Sequence, residues 1–544
     1  MTSLAVYPAL RRRPPWFLTA PAALCTAGML LPLAYLVIRA AEGDAQLLRE
    51  TVFRQRTLSM LGNTMGLAAA VLATVTLLGL PLAWLTTRTD LRARAWLTLL
   101  ATMPLAIPGY LMAYALLSIG GEYGTARQLM GISVPRLSGF WGAWLALSLY
   151  NLPYMFLNLR VALQRIDPAI EEAARSLGHT PPRVFTGVML PQLRPALMAG
   201  GLLVALHVIG DFGAVSLMRF ETFSYALAQQ FENNQHASAA WLGLVVVTIT
   251  AVLLVLEVRF LRGLRLDPTG AAVTRVLRPV RLGRWTGPAY AFVFAIAAAG
   301  VLLPLLTIIY WSVRSVERQA IAWEPWWRAL ADSLSVAIPA AAVTSALAVP
   351  LAYLARRYPS RASSALERSA YIGYATPPIA FALGLVFFTL LLPRTLDGWG
   401  LAAAGAAVGS LYQSFALLIA AYALHFLAEA IGPVRSALYV ASPRAEEAAR
   451  SLGCGRFEAF VRVTLPLLRP GLVASAALVF LSVVKELPIT YILSPLNFQP
   501  LSMRVWDYTN EAMYAQAAPY ALTILVVSGA FVGLLLARGR EEKT

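Results

Sequence analysis

Charge is scarce in this 544-residue chain. Only 13% of its residues are Asp, Glu, Lys or Arg, where a soluble protein carries roughly 25%. Cysteine is nearly absent. Cys25 and Cys454 stand far apart and give no disulfide framework. There are two lysines, Lys485 and Lys543, and neither sits in a glycine-rich phosphate loop. Such a loop needs a lysine to reach the nucleotide phosphates, so this chain is not itself an ATPase. The four histidines, His179, His207, His236 and His425, are scattered without metal-ligand spacing, and no serine or cysteine nucleophile constellation is visible. No cofactor, metal or catalytic residue is expected on the chain.

Apolar residues fill the space that charge leaves. They make up 58% of the sequence, and mean hydropathy is +0.65. Runs near the membrane-spanning length of about 20 residues recur throughout. The pattern predicts twelve spans, near 16–38, 60–86, 95–119, 139–159, 196–218, 237–258, 286–313, 333–355, 369–393, 400–428, 471–495 and 515–537. The fold class is therefore an all-α polytopic membrane protein. A β-barrel is excluded, because its segments are short and alternating. The first run is too long for a cleaved signal peptide and no small-residue cleavage site closes it.

The net charge of +17 does not point to nucleic acid. With Arg11, Arg12 and Arg13 placed in the cytoplasm and sides alternating, 30 of the 42 arginines fall inside and twelve outside. Twelve acids cancel those outside, whereas thirteen acids inside leave a positive excess. This is the positive-inside bias. It puts both termini in the cytoplasm and sets basic loops against anionic lipid.

The chain is also a repeat. EEAARSLG occurs at 171–178 and again at 446–453, followed by Leu190–Pro191 and Leu465–Pro466 and by Arg194–Pro195 and Arg469–Pro470, all at an offset of 275. Asn63–Thr64 and Asp332–Ser333 match at offset 269, as do Pro108–Gly109 and Pro377–Pro378. Phe220 and Phe498 match at offset 278. Two six-span units follow, 1–258 and 285–544, joined by a basic linker at 259–284. An even number of spans per unit makes them parallel repeats about an axis along the membrane normal.

Topology places both repeated loops, 166–195 and 441–470, in the cytoplasm. Asp167–Pro168 and Ser442–Pro443 are N-cap and first-turn proline signals. Glu171 with Arg175, and Glu446 with Arg450, are expected to pair at i,i+4. Ile170, Ala173, Ala174 and Leu177 should form one apolar face. Gly178 and Gly453 should stop the helix with a left-handed turn. A second segment, carrying Phe185 and Val188 or Phe457 and Val461, should end at Pro191 or Pro466. The expectation is a rigid docking knob just off the membrane.

These residues resemble the signature loop of binding-protein-dependent ABC importer permeases. Glu172-Ala173-Ala174, Gly178, Val188 and Leu190–Pro191 fit its pattern, and so do Glu447-Ala448-Ala449, Gly453, Val463 and Leu465–Pro466. Valine at the aliphatic position is the one departure. The resemblance implies a type I importer (MetI-like) fold in the bacterial inner membrane. It implies that Glu171, Glu172, Ala173, Ala174, Gly178, Leu190, Pro191 and their repeats Glu446, Glu447, Ala448, Ala449, Gly453, Leu465 and Pro466 couple the chain to separate ATPase subunits. Two loops imply two ATPase copies, with ATP and Mg on those partners, and a periplasmic binding protein outside.

Three ionisable residues fall inside spans, where each costs about 2.5–3.5 kcal/mol or more. Asp211 lies in GDFGAV, Lys485 and Glu486 in KELPIT. At offset 275 Asp211 aligns with Glu486 and Gly213 with Pro488. Lys485 is expected to pair with Asp211 across the axis. Asp211, Phe212, Lys485, Glu486 and Pro488 are candidates for the gate or pathway, or for an ion pair that only positions the halves. His207 lies one turn before Asp211.

GDFGAV and KELP in a fused two-half chain most resemble ferric-iron permeases, and 501–518 is similar to their segment before the last span. The resemblance implies ferric iron as cargo, with thiamine, putrescine, phosphonate and sulfate as alternatives. An ion-coupled secondary transporter would share the two parallel halves but not the repeated loop. An integral-membrane enzyme would need a catalytic cluster that is not seen.

Overall fold

The computed structural model describes residues 14–262 and 279–541. Arg11, Arg12, Arg13, the linker stretch 263–278 and Lys543 lie outside the described residues. Among the described residues every regular element is helical, apart from one isolated bridge between Thr89 and Val280.

Seven helices are long and apolar enough to cross a membrane, namely Trp16–Ala41, Gln55–Arg88, Pro181–Gly210, His236–Glu257, Gly283–Glu317, Trp323–Arg357 and Pro378–Gly398. Among the described residues three bent helix pairs also pass together, which makes up to ten if each pair is one span. Gly139–Arg165 and Tyr514–Glu541 occupy the two remaining expected positions but fall outside that set. The first carries Asn151, Pro153 and Asn158 among its apolar residues. All twelve expected runs therefore correspond to a helix or a bent pair.

Proline sets where the third expected span bends. Arg94–Ala106 and Gly109–Ile119 meet at 90°. Ile107, before Pro108, takes the extended backbone that a following proline favours. The tenth span departs from the expected 400–428. Ala402–Gly409 is a separate short helix, and the crossing is Phe415–His425 with Leu427–Val440, bent by 57°. Gln413 sits in the left-handed region at φ 54°, and Ser414 then caps the new helix by accepting from Leu417 N at 3.2 Å. One apolar run thus held two helices.

The fifth and eleventh expected spans are also interrupted. One helix stops at Gly210 and restarts at Gly213, and its counterpart stops at Lys485 and restarts at Pro488. A helix start strands backbone N–H groups, and in hydrocarbon each unsatisfied group costs several kcal/mol. Asp211 Oδ1 accepts from Ala214 N at 2.9 Å and Val215 N at 3.1 Å. Glu486 accepts from Ile489 N at 2.8 Å and Thr490 N at 3.1 Å. The two intramembrane acids are thus the caps of two equivalent helix restarts, where the N-terminal dipole favours negative charge.

The halves interlock. Trp16–Ala41 packs on Trp323–Arg357, Arg361–Ala375 and Pro378–Gly398, all from the second repeat. Thr26 and Ser369 hydroxyls meet at 2.8 Å, and Tyr35 lies edge-on to Phe388. In the same way Leu303–Glu317 packs on Gly109–Ile119 of the first repeat, with Tyr310 Oη donating to Gln128 at 2.9 Å. Each repeat's first helix therefore clasps the other repeat.

Small residues permit the clasp. A Cβ on Gly384 would run into the backbone of Pro32, whereas one on Gly66 would meet nothing. Gly384→Ala should destabilise the detergent-solubilised protein by about 1–3 kcal/mol, as overpacking does. Gly66→Ala should be neutral or stabilise it by up to ~1 kcal/mol. Thermal unfolding of the two variants checks this, and equal effects would contradict the clasp.

Candidate functional site

The repeated loops fold as two short helical segments around a glycine. Asp167 caps Pro168–Ser176 by accepting from Ala169 N at 2.9 Å, and Ser442 caps Pro443–Ser451 by accepting from Arg444 N at 3.3 Å. Gly178 and Gly453 are left-handed at φ 83° and 96°. In each loop a pair of backbone bonds closes the turn, Gly178 N to Arg175 O with His179 N to Ala174 O, and Gly453 N to Arg450 O with Cys454 N to Ala449 O. This is the Schellman arrangement.

The expected i,i+4 pairs do not form. Glu171 instead lies 2.9 Å from the Arg88 guanidinium, which is 4% exposed and also donates to Leu163 O and Ile166 O at 2.7 and 3.1 Å. Removing the partner of a buried charge costs about 3–5 kcal/mol, whereas an exposed i,i+4 pair contributes ~0.3–0.5. The buried arginine therefore takes the carboxylate. In the second loop Glu446 accepts from Tyr353 Oη at 2.7 Å and Thr464 Oγ1 at 2.8 Å. Arg357, the counterpart of Arg88, donates to Ala441 O at 2.9 Å. Each loop is thus tied to the end of the long second helix of its repeat, Gln55–Arg88 or Trp323–Arg357.

Two further expectations are corrected. Pro191 does not end its segment, whereas the segment in the second loop stops at Leu467, one residue past Pro466. The π-turns Phe185–Met189 and Phe460–Thr464 stand directly before Leu190 and Leu465, widening the helix where each proline lacks its N–H. The first loop then continues unbroken to Gly210, while the second bends by 67° before Arg469–Lys485. The supposed apolar face is also divided. Ala174 is buried, but Ile170 is half-exposed and Leu177 is 79% exposed, as is Leu452 at 86%. Glu172, Ala173, Glu447 and Ala448 are exposed beside them. The small residue meets the protein and the large apolar ones face away from it.

At the axis lies a cavity of about 220 Å³ lined by both halves. Asp211, Phe212, Lys485, Glu486 and Pro488 all line it. The 275-residue offset pairs further lining residues, Tyr150 with His425, Tyr154 with Glu429, and His207 with Ser482. The wall is therefore built from equivalent positions carrying different chemistry. The contact between Tyr154 and His207 rings, 4.5 Å apart, has its counterpart in Ser482 Oγ donating to Glu429 at 2.6 Å.

Lys485 does not pair with Asp211. Its Nζ donates to Leu105 O at 3.2 Å, and Glu429 lines the same cavity. Asp211 is already engaged, with Oδ1 on the helix restart and Oδ2 packed so close to Gly109 that a Cβ there would lie 3.2 Å away. Glu429 was missed in the sequence because the expected span ended one residue before it. The cavity tyrosines were missed because tyrosine is unremarkable in apolar runs. His207 does face the same cavity as Asp211.

Beyond the cavity, on the side away from the loops, aromatics from both halves meet. Phe212 stacks on Trp506 at 5.8 Å and lies 5.0 Å from Tyr491. Trp506 Nε1 donates to Ser216 Oγ at 2.9 Å, and Tyr491 Oη donates to Glu232. Tyr114 Oη donates to Tyr514 O at 2.9 Å.

Comparison with known proteins follows the same outline. The profile of the family described as binding-protein-dependent transport system inner membrane component matches residues 75–266 and again 347–539. The Fe(3+)-transport system permease protein FbpB 2 of Haemophilus influenzae is 31% identical over 528 residues, covering 96% of this chain and 98% of that one. A probable ABC transporter permease protein, y4fN, of Sinorhizobium fredii is 25% identical over 89% of this chain and 87% of its own length. The sulfate transport system permease protein CysT of Salmonella typhimurium is 28% identical over 42% of this chain and 84% of its own. With its two profile matches and a full-length relative, the chain belongs to the family of binding-protein-dependent ABC importer permeases, in which it is a fused, two-repeat, multi-span member.

Proposed function

We propose that this chain is the permease subunit of a ferric-iron importer. The observation that carries the reading is the chemistry of the axial cavity. Asp211, Glu429 and Glu486 face it with Lys485 as the one lysine, and the phenols of Tyr110, Tyr150, Tyr154 and Tyr374 add oxygen donors. A hard trivalent cation prefers oxygen ligands. An oxyanion such as sulfate or molybdate would meet an excess of carboxylates. The full-length similarity to an Fe(3+)-transport permease supports the same choice.

The arginine bias supports loops in the cytoplasm. There Leu177, Leu452 and the alanines beside them seat in grooves of two ATPase copies. The loaded binding protein docks on the opposite face. ATP-driven closure of the ATPases moves the loops, and Arg88 and Tyr353 pass that motion to the long helices they anchor. The aromatic contact of Phe212, Tyr491 and Trp506 is the outer seal that opens to admit cargo.

The assembly of permease, ATPase and binding protein in proteoliposomes tests the cargo. ATP-dependent uptake of radiolabelled ferric iron is expected, and uptake of sulfate or molybdate in its place would overturn the reading. For the loops, Leu177→Asp combined with Leu452→Asp should weaken ATPase association at least about tenfold, as removal of buried interface anchors does. Quantitative co-purification reads this, and unchanged association would remove the loops as docking elements.

A further inference from the structure

Five side chains from the two halves line the cavity beside the helix caps. Three tyrosine rings surround His207, with Tyr154 at 4.5 Å, Tyr150 at 6.3 Å and Tyr374 at 6.4 Å between centroids. His207 Nδ1 donates to Leu203 O at 2.8 Å. A carbonyl only accepts, so Nδ1 carries a proton, and in the neutral ring Nε2 keeps its lone pair. That is the arrangement in which a histidine is held ready to ligate. The Tyr374 hydroxyl has no hydrogen-bond partner among the described residues. Glu429 lines the same cavity as all three phenols. It is pinned by Ser482. Lys485 is turned to Leu105 O.

We propose that Tyr150, Tyr154, Tyr374, His207 and Glu429 form a transient coordination station for ferric ion on its way through the cavity. The proposal rests on the ferric-iron reading above and adds the site at which the ion is held. Phenol and carboxylate oxygens with one imidazole suit a hard trivalent cation. Binding exchanges the water or chelator oxygens on the ion for protein oxygens. Each phenol that binds as phenolate releases one proton to the departing chelator or to water, and no oxidation state changes. Tyr150, Tyr154 and His207 come from the first repeat, Tyr374 and Glu429 from the second. Relative movement of the halves therefore changes the ligand spacing. A station built across the moving interface is complete in one state and dissolved in the other, which lets a tightly preferred ion leave.

The test uses the purified permease with its ATPase partners, titrated with ferric nitrilotriacetate. Ferric phenolate produces a visible ligand-to-metal charge-transfer band, which a structural tyrosine cluster does not. The wild-type complex should show the band. Tyr154→Phe, which keeps the ring and removes the oxygen, should weaken ferric binding by roughly tenfold or more. Tyr123→Phe, at an exposed position outside the cavity, should leave the band intact. Retained ATPase co-purification shows that each variant is folded. A complex that imports ferric iron but shows no band overturns the station alone. So does a band that persists in the Tyr154→Phe, Tyr374→Phe double variant. A complex that imports no ferric iron overturns the functional reading itself.

Discussion

A helix that stops inside a membrane leaves backbone N–H groups with no water to satisfy them, and this molecule stops two helices there. Asp211 and Glu486 resolve both interruptions in the same way, each folding its carboxylate back onto the first N–H groups of the restarted helix. Because the interruptions are related by the internal repeat, they meet at the axis. A Cβ on Gly213 would lie 3.1 Å from the Leu487 side chain. The cavity sits where these two broken elements and the helix breaks at Pro108 and Pro377 come together. Without the carboxylates the breaks would be untenable, and without the breaks there would be no cavity.

The same two elements run back to the repeated loops. Pro181–Gly210 is one helix from the first loop to the first break, entered through a π-turn. Its counterpart makes the same journey with a 67° bend. The clasp of each repeat's first helix around the other half holds the halves together around these inner elements. A buried arginine in one half and a tyrosine in the other tie the loops to a second long helix. The repeat is thus symmetric in backbone and asymmetric in chemistry, at the loops as in the cavity.

Much of this was legible in the sequence where a residue stood out against its surroundings. The polar EEAARSLG repeat in an apolar chain disclosed two parallel halves and their loops. Asp211 and Glu486 were visible because a charge in an apolar run must have a reason, and Gly213 and Pro488 marked the breaks. Partners were not legible. Lys485 and Asp211 are equally buried candidates on paper, and only the packing of Gly109 and the restarted helix shows that Asp211 is occupied. Glu171 has an ideal surface partner by spacing, yet a buried guanidinium outbids it. Glu429 was hidden because the expected run at 400–428 stopped one residue short of it, and the turn at Gln413 and Ser414 that divides that run leaves little mark in composition.

The central claim is that cargo passes through the axial cavity. Leu206 lines it without taking part in any of the caps or contacts described. A single cysteine there, Leu206→Cys, in a chain with Cys25→Ala and Cys454→Ala, allows the cavity to be filled by thiol alkylation. Ferric-iron uptake by the reconstituted assembly is then measured before and after modification. The account predicts that alkylation reduces uptake to background while the complex stays assembled. Complete alkylation with uptake unchanged would contradict it.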